Sequence, residues 1–89
     1  MGILLVADES LTAPDGTKLP VVDSVFGVAQ RDGRVRPGDR ILAANGIDLS
    51  QCSLEQTLQT MKMLRRNKGA VITLEVGDYD AVYRACARI

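Results

Sequence analysis

Apolar positions along the chain fall in short runs separated by turn-forming clusters. Ile3 to Ala7 is apolar on both alternating faces, which predicts a strand that is covered on both sides or that awaits another strand. Leu11 to Lys18 carries Pro14 and the Asp15-Gly16 pair in a polar setting and reads as a loop. Leu19 to Phe26 resumes an extended pattern, with Val21, Val22, Val25 and Phe26 as its expected buried members. Gly27 to Arg31 predicts a single helical turn ahead of Asp32-Gly33.

The middle of the chain is the most informative. Pro37-Gly38 presets a tight turn, because proline fixes one φ and glycine is free to take a positive one. Ile41 to Ala44 reads as a short strand, and Asn45-Gly46 signals a hairpin reversal into Ile47-Asp48-Leu49. Ser53 is placed as a helix N-cap, and Gln56 three residues on completes a capping box, so a helix should begin at Leu54. Leu54, Leu58, Met61 and Leu64 form its apolar stripe with Thr57 between them, while Glu55, Gln59, Lys62 and Arg66 face elsewhere. The helix should stop near Asn67-Lys68-Gly69, where glycine supplies a left-handed cap. Val71 to Val76 is a β-branched strand. In the tail, Tyr79, Val82, Tyr83 and Cys86 make one stripe at helical spacing with Asp78 or Asp80 as cap, so residues 78–89 are expected to be a short helix.

Composition narrows the classes of function. The 89 residues suit one domain, and a chain this short has a thin stability margin. Eleven basic and eleven acidic side chains cancel, so no net field points to nucleic acid. Cys52 and Cys86 lack metal spacing and there is no histidine to join them, which predicts a reduced pair and no metal or cofactor. Without histidine the commonest general base is missing, and neither cysteine has an activating partner, so catalysis is not expected. The opening Met1-Gly2-Ile3-Leu4-Leu5-Val6-Ala7 has no basic start and meets Asp8-Glu9 at once, unlike a signal sequence. Val6 stands where myristoylation needs Ser or Thr, and no run approaches the ~18 apolar residues of a membrane span. The chain therefore reads as cytoplasmic.

The segment Asp32-Gly33-Arg34-Val35-Arg36-Pro37-Gly38-Asp39-Arg40-Ile41-Leu42, continued by Asn45-Gly46-Ile47-Asp48-Leu49 and the helix and strand beyond it, resembles a PDZ domain, the small peptide-binding module of scaffold and signalling proteins. The resemblance spans roughly residues 1–76 and is most specific between 32 and 62. It implies an α+β fold: a small, partly open antiparallel β-barrel or sandwich capped by one short and one long helix. Residues 1–77 would form this domain, and residues 78–89 a carboxyl-terminal extension. The family normally has a further strand before its carboxylate-binding loop. Either that strand is absent here or residues 80–89 fold back to replace it.

The resemblance also implies a site. A partner's carboxyl-terminal tail would lie as an added antiparallel strand between the strand 3–6 and the helix 54–66, held by main-chain hydrogen bonds and selected by side-chain pockets. Gly2 and Ile3 would match the end of the carboxylate loop with Met1 before them, where backbone N–H groups can cradle an anion. Leu4, Leu5 and Val6 would pair with the peptide through their backbone, and Leu54, Leu58 and Met61 would form the opposite wall with Lys62 at the rim. Ile3, Leu58 and Met61 would line the pocket for the last ligand side chain, a Val, Ile or Leu. Leu54 stands where many family members carry a histidine that bonds a ligand Ser or Thr, so an apolar residue is expected third from the ligand's end. Partners of this kind include the tails of membrane receptors and channels.

Three other readings stay open at this level. Lys62, Arg65, Arg66 and Lys68 could draw the helix end to anionic phosphoinositide headgroups at the membrane cortex. The tail Cys86-Ala87-Arg88-Ile89 could occupy the groove of its own or a neighbouring copy, giving self-association. The resemblance also admits a regulatory module of a protease.

Overall fold

The structure, a computed structural model, describes residues 2–66 and 71–89. Among these residues the order of elements is β1 (Ile3–Thr12), β2 (Lys18–Val25), α1 (Gly27–Asp32), β3 (Arg40–Ala44), β4 (Ile47–Asp48), α2 (Leu54–Leu64), β5 (Thr73–Gly77) and β6 (Tyr83–Arg88). Two antiparallel sheets result, β1-β2 and β4-β3-β5-β6. The α+β arrangement of six strands with one short and one long helix is that expected of the PDZ fold.

Local chemistry accounts for most of these boundaries. The Gly38 amide donates to the Val22 carbonyl at 2.7 Å and the Val22 amide to Asp39 O at 2.8 Å, so the Pro37-Gly38 turn stitches β2 to the start of β3. Asn45 and Gly46 both take positive φ, as a two-residue hairpin that matches strand twist requires. The Asn45 side chain adds a bond of its own, accepting the Thr73 amide at 2.8 Å and fixing the hairpin to β5. At α2 the Gln56 amide donates to Ser53 Oγ at 3.2 Å and the Ser53 amide to Gln56 Oε1 at 2.9 Å, so both halves of the capping box are made. The last helical residue is Leu64, capped at Arg65, two residues before the expected stop; the glycine cap assigned to Asn67-Lys68-Gly69 lies outside the described residues.

The core joins the two sheets and α2. Val22, Val35, Ile41, Leu49, Met61, Leu74 and Val76 are buried together, and Ile3, Leu5, Ala85 and Ile89 pack against them. Thr57 is fully buried on the inner face of α2. Phe26, expected inside, is exposed, because it stands outside β2 as the extended N-cap of α1.

The tail departs from its predicted helix. Residues 83–88 form β6, which pairs antiparallel with β5, Thr73 opposite Arg88 and Val76 opposite Ala85. Ile72 and Ile89 extend the ladder by exchanging both backbone bonds, at 2.6 and 2.9 Å. The alternation that decides this is Ala85, Ala87 and Ile89 inward, with Arg84, Cys86 and Arg88 between them. Tyr79, Val82 and Tyr83, the supposed helical stripe, are all exposed. Asp78 caps a turn instead, its Oδ1 accepting the amides of Asp80 at 3.0 Å and Val82 at 3.1 Å. The carboxyl-terminal segment is thus folded back along the sheet as β6.

Candidate functional site

A groove of about 300 Å³ runs along α2, lined by Leu54, Glu55, Leu58, Gln59 and Lys62. The helix presents it because its other face, through Thr57 and Met61, is turned into the core. A capped helix with buried residues at positions 57 and 61 must carry 54, 58 and 62 on a neighbouring stripe. Leu58 is 48% exposed there. Of the predicted wall, Leu54, Leu58 and Lys62 come together, whereas Met61 is only 5% exposed and belongs to the core cluster. Glu55 and Gln59, read as facing elsewhere, line the groove as well; the i, i+4 spacing of 55 and 59 beside 54 and 58 was the available signal.

α2 packs against β1 and β2. Among the described residues β1 pairs with β2 alone, so its other edge offers free N–H and C=O groups at every second residue. Along that strand Ile3 and Leu5 lean on the core, while Leu4 is 50% exposed and Val6 is exposed. Their cross-strand partners follow the same alternation: Val22, opposite Leu5, is buried, and Ser24, opposite Leu4, is not.

Gly2 begins this edge and is more constrained than the sequence suggested. It is buried with φ +94°, its carbonyl accepts the Phe26 amide at 2.7 Å, and an added Cβ would meet Phe26 O at 1.9 Å. Only glycine fits. Met1, assigned to the same loop, lies outside the described residues. Lys62, Arg65 and Arg66 are exposed toward the end of α2, and Lys68 lies outside the described residues.

Ile89, proposed as a self-ligand, is not a loose end: its amide and carbonyl are both taken by Ile72 and its side chain packs on the core. Self-association through the tail would require Ile89 to leave Ile72 and the core. Cys52 and Cys86 are both free thiols. Among the described residues no group of acidic, cysteine or histidine side chains is arranged to hold a metal, and no helix is long and apolar enough to cross a membrane.

The model of the PDZ domain family matches residues 6–77. The chain belongs to the PDZ family. This PDZ domain is 56% identical over 36 residues, 40% of its length, to the Patj homolog of Drosophila melanogaster. It is 42% identical over 48 residues, 54% of its length, to human tyrosine-protein phosphatase non-receptor type 13, and 35% identical over 57 residues, 64% of its length, to human Disks large homolog 2. The domain spans only 4, 2 and 6% of those relatives respectively, so the whole proteins' activities are not carried by the likeness. No solved structure matches it at the same stringency. As a PDZ domain it is a non-catalytic module of a family whose members bind the carboxyl-terminal peptides of other proteins.

Proposed function

We propose that this domain captures the carboxyl-terminal tail of a partner protein, which adds as an antiparallel strand to the free edge of β1 and lies along α2. One observation carries the reading: an unpaired strand edge stands beside an exposed apolar helical groove. Backbone pairing on Ile3, Leu4, Leu5 and Val6 supplies affinity independent of ligand sequence. Gly2, in its left-handed conformation at the head of the strand, turns the chain so that successive amides can face the terminal carboxylate. The last ligand side chain, a Val, Ile or Leu, meets Ile3 and Leu58 over the buried Met61. The third from the end meets Leu54, which has no hydrogen-bonding group, so an apolar residue is preferred there; burying an unpaired hydroxyl would cost about 1–3 kcal/mol. Gathering of such partners at one place is the resulting scaffold role.

The test is a library of peptides with free carboxyl termini, screened against the domain and its Leu54→His variant. The unmodified domain should select apolar residues at both the last and the third-from-last positions, and Leu54→His should move the latter toward Ser or Thr by about ten-fold. A Ser or Thr preference in the unmodified domain would remove Leu54 from the site. Failure of every free-ended peptide, with retained binding to anionic vesicles, would give the basic helix end precedence.

A further inference from the structure

A further groove among the described residues shares no residue with the one along α2. It has a volume of about 350 Å³ and crosses the outer face of the β4-β3-β5-β6 sheet. Its floor is set by strand register. Ala43 is opposite Asp48 on one side and Glu75 on the other, so the two carboxylates flank a methyl group in a single cross-strand row. Their Cα atoms are thus two strand spacings apart, roughly 10 Å. Leu42 and Gly46 add apolar and open surface, and Tyr83, 56% exposed, forms one wall. Gly77, opposite Tyr83, leaves room for the Leu42 side chain, which a Cβ at that position would meet at 2.7 Å.

The charge of this groove is uncompensated. No basic residue lines it, and among the described residues neither Asp48 nor Glu75 takes part in an ion pair. Asp48 Oδ1 accepts the Ser50 hydroxyl at 2.7 Å and the Ser50 amide at 2.9 Å, bonds that hold the carboxyl ionised below the ordinary aspartate range and leave Oδ2 open. The cation on β6 nearest the tyrosine, Arg84, is committed to Asp39 and to the Arg34 carbonyl. From two carboxylates in one cross-strand row, an apolar floor and an exposed aromatic wall, we infer that this groove is a second docking site, for an arginine side chain presented by a partner protein. The aliphatic stem covers Leu42 and Ala43, the guanidinium bridges Asp48 and Glu75, and the tyrosine ring supplies a face for the cation.

The probe is acetyl-Gly-Arg-Ala-Arg-Gly-amide, whose blocked end cannot serve the α2 groove, titrated into the nitrogen-15-labelled domain and followed by amide shifts. Saturating shifts are expected at Ala43, Gly46, Glu75 and Tyr83, with none for the analogue in which both arginines are the neutral isostere citrulline. The double variant Asp48→Asn, Glu75→Gln, at exposed or half-exposed positions, should keep the spectrum of a folded domain and bind the arginine peptide about five-fold more weakly or worse. A peptide with a free apolar carboxyl terminus should shift β1 and α2 and leave these four amides in place, so the two sites fail or succeed separately. Equal binding of the citrulline peptide, indifference to the double variant, shifts confined to β1 and α2, or no saturable shift would each overturn the proposal.

Discussion

Gly2 shows how a single residue can fix the course of the backbone at the head of a strand. Its positive φ and the 1.9 Å clash that a Cβ would make with Phe26 O come together, whereas Gly16 has a similar φ of +87° in open space. Gly2→Ala should therefore lower unfolding free energy by about 2–4 kcal/mol, and Gly16→Ala by only about 1 kcal/mol. Urea unfolding of the two variants checks this, with loss of Phe26 amide protection expected for the first alone. Equal costs would mean that backbone conformation, not the close approach to Phe26, is what matters at Gly2. Polar single residues act more locally. Asp8 and Asp15 are held below the ordinary aspartate range by the hydroxyls, then the amides, of Ser10 and Thr17; Asp8 does so at the irregular end of β1 and Asp15 in the turn that leads to β2.

At the scale of elements, the contact most dependent on tertiary structure joins β6 to the segment before β3. The buried Asp39 carboxylate accepts the Arg36 amide at 2.8 Å and the Arg84 guanidinium, which also donates to Arg34 O at 2.5 Å. Arg34 returns the tie, donating to Cys86 O at 2.8 Å across the outer edge of β6. Arg84→Met keeps the aliphatic stem but leaves Asp39 with one donor, and should cost about 1–3 kcal/mol. Combined with Asp39→Asn, a coupling of at least about 1 kcal/mol is expected from a double-mutant cycle in urea. Additive losses would show that the pair is not an energetic unit. The α2 cap is the opposite case. Ser53 and Gln56 announce it at fixed spacing, and its bonds form as the spacing dictates, because capping requires only the local chain.

For the molecule as a whole, β6 is packed as part of the folded unit. The family match stops at residue 77, yet Ala85, Ala87 and Ile89 pack on the core and β5 would become an exposed edge without β6. Removing residues 78–89 should lower the thermal midpoint by roughly 15–30 °C or abolish cooperative unfolding, measured by calorimetry. A truncated chain that unfolds cooperatively near the original midpoint would instead favour residues 1–77 as the domain with an extension attached. The same strand also builds the arginine groove, since Tyr83 lies on it.

Turns, caps and hairpins were legible in the sequence by themselves: Pro37-Gly38, Asn45-Gly46 and the Ser53–Gln56 box work through neighbouring residues, and the family resemblance rests on that same stretch. The tail was misread because alanine says little about burial. Ala85 and Ala87 look neutral until β5 is beside them, while the larger Tyr79, Val82 and Tyr83 draw attention to a stripe that stays in solvent. Met61 and Leu58 could not be told apart along the helix; packing against the core sent one inside and left the other at the groove. The Asn45-Gly46 hairpin sets Asp48 opposite Ala43 locally, but only tertiary structure brings Glu75 to the other side of Ala43, because pairing between strands that are distant along the chain fixes which side chains share a face.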